Sequence, residues 1–441
     1  VPNTKRKNAR EELIVDFGDA FLLNSLIDHY GLNAALDAIG YGNPDSLRAL
    51  LLYYMLEKRS NAHAQTWWEG SYARILYPQA NLSSQRISDL LSAIGDEGSL
   101  RAFFSCYLKL LGSDVSNDAN ILIDSTGMPN SIRFPLTAVS NHNGVISEEV
   151  RLIYVVQQGS RLPIYMRYVP GNIIDSTTLT TTVKELKAMG VNTKFAILDA
   201  GYVTEEAVTS LCAEKISFIT RCPVNRTVYR NLMEKELDDL ERDEYLAVDS
   251  RGRLYNGRQV YVKCVEVNFA GQKLYAYVAR DKTMQEVERK QFIRHNLDEQ
   301  AHRVGIQAKT REFGVFVLLS SRRIKAELVL EHYYVRQDVE QVFDISKNYA
   351  SLLPLNVEKE ETFRGHLLLT FIATIILQKL QNNIKKSQFS LDRILMSMRT
   401  QKAKIFENVV IPAEPTKEHN AIYKLLNVKP AKEYTRTPAR V

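Results

Sequence analysis

Between Asp118 and Pro223 the hydrophobic pattern leaves few folds open. Asn120–Asp124, Val150–Gln158 and Pro163–Tyr168 are short runs rich in Ile, Leu, Val and Tyr, and read as three consecutive strands. Leu179–Met189 has helical spacing and stops at Gly190. Lys194–Asp199 is then a continuous apolar strand ending in an acid, Glu205–Lys215 a second helix, and Ile216–Thr220 another strand. Three strands in succession followed by β-α-β-α-β units predict an α/β fold, a mixed sheet covered by helices.

The flanks differ in character. A chain of 441 residues is too long for one core, and about two to four domains are expected. Residues 1–112 read as a helical N-terminal DNA-binding region. Ala20–His29, Ser46–Glu57, Ser84–Ile94 and Leu100–Leu111 have helical spacing, with breakers at Gly40-Tyr41-Gly42-Asn43-Pro44 and Pro78-Gln79-Ala80-Asn81. The Ser84 helix, entered through Ser, Gln and Arg, suits either a DNA major groove or plain helix packing. Residues 118–223 form the first part of the α/β core. Residues 224–310 read as a polar, β-rich insertion. It holds a charged helix-like run (Leu232–Arg242) and strand-like runs at Tyr245–Val248, Gln259–Asn268 and Gln272–Arg280, with turns at Arg251-Gly252-Arg253 and Ala270-Gly271. The core resumes over 311–352 with a last strand, Phe313–Leu319. Residues 353–441 are helical, then irregular after Pro412.

Composition narrows the function classes. A net charge of +6 permits nucleic acid as a partner without requiring it. Cys106, Cys212, Cys222 and Cys264 have no zinc-site spacing and are too few for a disulfide framework, so a reducing, cytoplasmic setting is expected. The longest apolar run, Leu367–Leu377, is 11 residues and reads as a buried helix rather than a membrane span. No signal peptide is expected, and a first residue of Val rather than Met points to a missing N-terminal piece. No G-x-x-x-x-G-K-[ST] loop supports a nucleotide-triphosphatase reading.

Two aspartates stand out by position. Asp124 ends Ile121-Leu122-Ile123, and Asp199 ends Phe195-Ala196-Ile197-Leu198. A carboxylate at the end of an apolar strand needs a backbone cap, a cation or a metal ion. Downstream, Tyr333–Lys347 contains no Gly or Pro and reads as one helix. At about 100° per residue, Arg336, Glu340 and Lys347 fall within roughly 60° of Tyr333. That stripe is either a solvated face with ordinary i,i+3 and i,i+4 pairs, or part of a site for metal and phosphate. Two strand-end acids plus Glu340 favour the site, since hard oxygen ligands suit Mg²⁺ or Mn²⁺. Asp175 reads as a helix cap, and Asp338 and Asp344 as solvated. Two basic regions complete the picture. One holds Arg303, Lys309, Arg311, Arg322, Arg323 and Lys325; the other holds Lys385, Lys386, Arg393, Arg399, Lys402 and Lys404. The first suits a DNA-backbone surface, the second equally a solvated helix face.

Tyr333-x2-Arg336-x3-Glu340-x6-Lys347 resembles the Y-R-E-K signature of DDE transposases of the insertion-sequence type-4 superfamily. Asp124 in Ile-Asp-Ser-Thr resembles that family's first acid, and Asp199 in Leu-Asp-Ala-Gly-Tyr its second. Gly171-Asn172 through Asp175 and Phe363-Arg364-Gly365-His366-Leu367 look like further family landmarks. The resemblance covers roughly residues 118–380. It implies an RNase H-like catalytic core with a β-strand insertion, and two Mg²⁺ ions, or Mn²⁺, on Asp124, Asp199 and Glu340. It also implies that Tyr333, Arg336 and Lys347 hold the transposon end. The expected activity is cut-and-paste transposition on double-stranded DNA by a homodimer in a synaptic complex, in a prokaryotic, nucleoid-associated setting with no membrane partner. The rivals are an RNase H-like nuclease or domesticated relative without strand transfer, and a non-catalytic DNA-binding protein. Some relatives set an insertion aromatic against a flipped base; here Tyr245, Tyr255, Tyr261, Phe269, Tyr275 and Tyr277 all qualify and no motif chooses one.

Overall fold

Helices do dominate the first hundred residues, but a strand precedes them. The computed structural model describes residues 11–112, 119–130, 134–142, 145–173, 175–248, 251–296, 310–355 and 357–435. β1 (Glu11–Asp16) leads into α1 (Gly18–His29), α2 (Asn33–Ala38), α3 (Pro44–Leu56), α4 (Ala64–Gly70), α5 (Ala73–Leu76), α6 (Ser84–Ile94) and α7 (Glu97–Leu111). Local chemistry starts two of these helices. Asn43 accepts from the Ser46 N–H ahead of Pro44 in α3, and Asp96 accepts from the Gly98 N–H at the head of α7.

The core follows as β2 (Ala119–Pro129), β3 (Ala138–His142), β4 (Val145–Gln157), β5 (Pro163–Pro170), α8 (Asp175–Ala188), β6 (Thr193–Leu198), α9 (Glu205–Ala213) and β7 (Ser217–Arg221). The next stretch gives α10 (Thr227–Glu236), β8 (Val260–Phe269), β9 (Gln272–Asp281) and α11 (Lys282–Asn296). Then come β10 (Val315–Ser320), α12 (Ala326–Tyr334), α13 (Gln337–Tyr349), α14 (Glu360–Ile384), α15 (Leu391–Arg399), β11 (Lys402–Phe406), β12 (Val409–Pro412), α16 (Lys417–Leu425) and β13 (Tyr434–Thr435).

One nine-stranded sheet runs β3-β4-β2-β6-β7-β10-β9-β8, with β5 lying end to end with β3 along the far edge of β4. β5, β4 and β2 pair antiparallel, whereas β2, β6 and β7 run parallel. Side chains alternate between the two faces. Leu122, Tyr154, Phe195, Ile197 and Ile219 pack with α12, α13, α14 and the N-terminal helices. Ile121, Ile123, Val155, Ala196, Leu198 and Phe218 pack under α8 and α9. Both faces are covered, which is why β2 and β6 read as unbroken apolar runs.

Several expectations change. β2 does not end at Asp124 but continues to Pro129, because β4 remains its partner as far as Glu149. Gly127 makes room there, since a Cβ at that position would sit 2.1 Å from Glu149 Oε2. The insertion does not build its own sheet. β8 and β9 form a hairpin, turned by Ala270 (φ 52°) and Gly271 (φ 72°), that joins the large sheet through β10. Tyr245 closes a 3-10 turn, Asp243–Tyr245, and Leu246 and Val248 make only isolated bridges, while Lys282–Asn296, which the sequence pattern leaves unassigned, forms the helix α11. Past Pro412 the described residues, 413–435, carry α16 and β13 rather than irregular chain, with Thr416 and His419 forming a capping box for α16. β1 pairs with β11 in a second sheet, β1-β11-β12-β13, so the first described strand folds together with the C-terminal region.

α14 holds this assembly. It is long and apolar enough to cross a membrane, but 89% of its apolar window is buried inside the protein, including all of Leu367–Leu377. α6 approaches it so closely that a Cβ on Gly365 would sit 1.8 Å from the Leu91 carbonyl oxygen.

Candidate active site

The parallel register sets the first two acids side by side. Ile123 pairs with Leu198, so the following residues, Asp124 and Asp199, emerge together on the face covered by α13. The Ser125 N–H donates to Asp124 Oδ1 at 2.8 Å, and Thr220 Oγ1 donates to the Asp199 carbonyl at 3.0 Å.

The third acid comes from above. The expected single helix over 333–347 is two, α12 and α13, with Val335 and Arg336 forming a tightened turn between them. There the Arg336, Asp338 and Val339 amides each bond the carbonyl three residues back, at 3.0, 2.8 and 3.0 Å. No breaker residue marks this turn. Tertiary packing imposes it, because α12 rests on β7 and β8 while α13 rests on β2 and α14. Phe343 stacks on Tyr154 at 5.1 Å, worth about 1 kcal/mol beyond area burial. Below it the Ser346 hydroxyl lies 3.2 Å from the Tyr154 hydroxyl and 2.9 Å from Thr374 Oγ1. These contacts fix the rotation of α13 and aim Glu340, in its first turn, at the strand ends.

Arg336 joins the three acids. Its Nη1 lies 3.1 Å from Asp124 Oδ2 and 3.1 Å from Asp199 Oδ1, and its Nη2 lies 3.0 Å from Glu340 Oε1. Burial alone would favour a neutral guanidine, but Asp199, Asp124, Tyr333 and Glu340 outweigh it and push the Arg336 pKa up. Tyr333, only 6% exposed, forms an inner wall. Burial raises its phenol to about 12, Arg336 pulls it down and Asp199 adds to the rise. Lys347 stands apart from the acids: its Nζ donates to Thr126 Oγ1 at 2.6 Å, two residues past Asp124 on the same face of β2. Burial lowers the Lys347 pKa, with Glu149 opposing. Thr126 escaped the sequence reading, although period-two alternation from Asp124 points to it.

The other expectations divide. Asp175 opens α8, and its side chain lies outside the described residues, as do Arg303 and Lys309. Asp338 is not solvated but paired with Arg161 at 3.0 Å, whereas Asp344 is exposed and accepts from Asn348. The basic stretch is not one surface. Arg311, bonded to Asp238, precedes β10, and Arg322 to Lys325 follow it, so the strand separates them by about 20 Å. In the tail, Arg393 pairs with Glu418, Arg399 with Asp19 and Glu57, and Lys402 with Asp16. The apolar side of α6 packs on α14, and on its outer side Gln85 and Arg86 bond Asp89. Among the insertion aromatics, Tyr261 and Tyr277 are core, and Tyr255 stacks on Tyr334 at 5.9 Å. The Phe363–Leu367 landmark is structural: Phe363 packs on Phe134 and Tyr168, Arg364 Nε donates to the Gly95 carbonyl, and His366 bonds Tyr54 and Leu352.

The donor set fits a hard divalent cation. It is all carboxylate, and it converges where positive charge is already required, since a guanidinium bridges every member. Among the described residues no three His, Cys, Asp or Glu side chains stand close enough to grip an ion directly. Ligation at about 2.1 Å therefore needs Arg336 to withdraw and the carboxylates to close.

Residues 121–376 match a family model described as the transposase DDE domain, more than half of the chain. No curated protein matches the sequence. Among solved structures the chain is similar to a piggyBac transposase synaptic complex with hairpin DNA, at a TM-score of 0.43 and 12% identity, over 87% of this chain and 79% of that one.

Proposed function

The chain belongs to the transposase DDE domain family, and on that premise we propose that it is a cut-and-paste DNA transposase acting through Asp124, Asp199 and Glu340. The observation that carries the reading is the convergence of these acids, from β2, β6 and α13, on the single Arg336 guanidinium. The strand order β5-β4-β2-β6-β7, antiparallel and then parallel, supports an RNase H-like core.

In this reading Asp124, Asp199 and Glu340 hold two Mg²⁺ ions, for which Mn²⁺ substitutes. When bound, the ions supply the nucleophile at neutral pH and neutralise charge on the phosphate under attack. The protein's own residues position the DNA. Arg336, released from the acids, offers a planar fork to a terminal phosphate, and Lys347 offers a point charge beside it. Tyr333 backs the guanidinium and keeps water from its inner side. Water attack at the element's end leaves a 3′-OH, which then attacks target DNA, with alignment and charge stabilisation as the protein's contribution. Two copies of the chain, each holding one end, make the synaptic unit.

The test uses duplexes built from the DNA that flanks the coding sequence. Asp124→Asn is expected to abolish Mn²⁺-dependent end cleavage. Cleavage at the wild-type rate by this variant removes Asp124 from the site. Joining of the freed 3′ end to a target plasmid by the wild-type protein separates a transposase from a nuclease on the same fold.

A further inference from the structure

Arg221, the last residue of β7, extends the row of acids by one strand. Ile123 pairs with Leu198 and Leu198 with Thr220, all in parallel register. The next residues along the three strands, Asp124, Asp199 and Arg221, therefore stand abreast at a spacing of about 4.8 Å. Alternation turns them to one face, because Leu122, Ile197 and Ile219, two residues earlier in each strand, all lie in the core beneath α12, α13 and α14. The Arg221 guanidinium is exposed and lies 5.7 Å from the centroid of the Phe316 ring. Its charge reaches the phenols of Tyr333 and Tyr334, so it shares the field of the site.

The neighbouring arginines are already committed. Arg258 pairs with Asp281 at 2.9 Å, Arg280 with Glu241 at 2.6 Å, Arg226 donates to the Val203 carbonyl at 2.6 Å, and Arg336 holds the acids. Among the described residues no carboxylate pairs with Arg221, so its fork of donors is unspent. Lys347, on Thr126, lies about 7 Å beyond Asp124 along β2. Arg221 lies one strand beyond Asp199 across the sheet, roughly at right angles to that displacement. One cation thus lies by the Asp124 end of the row and the other at its Asp199 end, and a nucleic-acid strand crossing the acids needs cations beside them to offset the repulsion of its neighbouring phosphates.

We propose that Arg221 is a DNA-backbone-binding residue that holds a phosphate beside the one lying over the acids, on the side of the row away from Lys347. This rests on the transposase reading. Arg221 acts by positioning the strand, and the acids carry the chemistry.

The experiment measures binding of a labelled duplex of arbitrary sequence to the full chain, by anisotropy, across a series of KCl concentrations. Variants are Arg221→Gln and Arg221→Lys, with Lys187→Ala as the control, since Lys187 pairs with Glu214 on the face of the sheet that α8 and α9 cover. Arg221→Gln is expected to reduce the slope of log K against log salt by about 0.9, the loss of one phosphate contact. Arg221→Lys is expected to keep the slope, and Lys187→Ala to leave it unchanged. Mn²⁺ binding, followed by electron paramagnetic resonance, should stay at the wild-type level in Arg221→Gln, showing that fold and acids are intact. A wild-type slope in Arg221→Gln overturns the proposal. If Asp124→Asn loses Mn²⁺ in parallel, only the role of Arg221 has failed; if Asp124→Asn binds Mn²⁺ as the wild type does, the reading of the site has failed with it.

Discussion

Arg336 satisfies three carboxylates at once, and that makes it a competitor of any cation the same carboxylates would bind. Two unit charges about 4 Å apart near a protein surface interact by about 4 kcal/mol, so removing this one is not a small change. Arg336→Gln is expected to tighten Mn²⁺ binding to the DNA-free protein by about tenfold or more, equivalent to about 1.4 kcal/mol. Calorimetric titration reads this directly, and unchanged or weaker binding would show that the guanidinium and the ion do not compete. The two aspartates and Glu340 were legible in the sequence because each announces itself locally, as an acid closing an apolar run or as one member of a spaced helix signature. Arg221 and Thr126 were not, because nothing local distinguishes them. Their significance comes from strand register and from which face of the sheet α13 covers, and both are set by pairings between residues far apart in the chain.

At the scale of elements, the packing of α14 explains a motif whose residues look functional by their polarity. His366 on α14 is buried between Tyr54 of α3 and the Leu352 carbonyl, with Nδ1 2.9 Å from the Tyr54 hydroxyl and Nε2 3.2 Å from Leu352 O. The neutral ring satisfies both, donating from Nε2 and accepting at Nδ1. Burial lowers the His366 pKa below its ordinary value near 6.5, with the Leu352 bond opposing. The unfolded chain thus takes up a proton that the folded chain refuses. The associated stability is complete above about pH 6.5 and is lost as pH falls from there through the folded pKa, at up to about 1.4 kcal/mol per pH unit. Urea unfolding of the wild type and of His366→Gln at matched pH values should show the wild type losing more stability on acidification. Parallel curves would assign the acid sensitivity elsewhere. The turn at Val335–Arg336 belongs to this scale too. Helical periodicity identified the stripe, but it could not reveal that α12 and α13 rest on different strands and must bend to do so.

Across the whole molecule, the sequence suggested regions in series, and the structure folds them through one another. The N-terminal helices share one core with α14, and β1 pairs with β11, with Leu13 opposite Ile405 and Asp16 opposite Lys402. A fragment ending at residue 112 would leave the faces of α3 and α6 that meet α14 exposed to water. It is expected to show no cooperative thermal transition by circular dichroism, whereas the full chain does. A sharp transition in the fragment would make it an independent domain.

The insertion shares the large sheet and the core beneath α12, yet it leaves and rejoins the rest at one seam. Arg221, where the chain leaves the core, is the register partner of Leu318, where it returns, and the Cys222 N–H bonds the Val317 carbonyl at 2.8 Å. The detour therefore begins and ends about 5 Å apart on neighbouring strands. A different excursion could be spliced across so short a gap, provided it replaces the strand that β9 lays on β10 and the support that β8 gives α12. The seam is a place where evolution, or an engineer, could exchange the whole excursion while the row of acids beside it keeps its spacing.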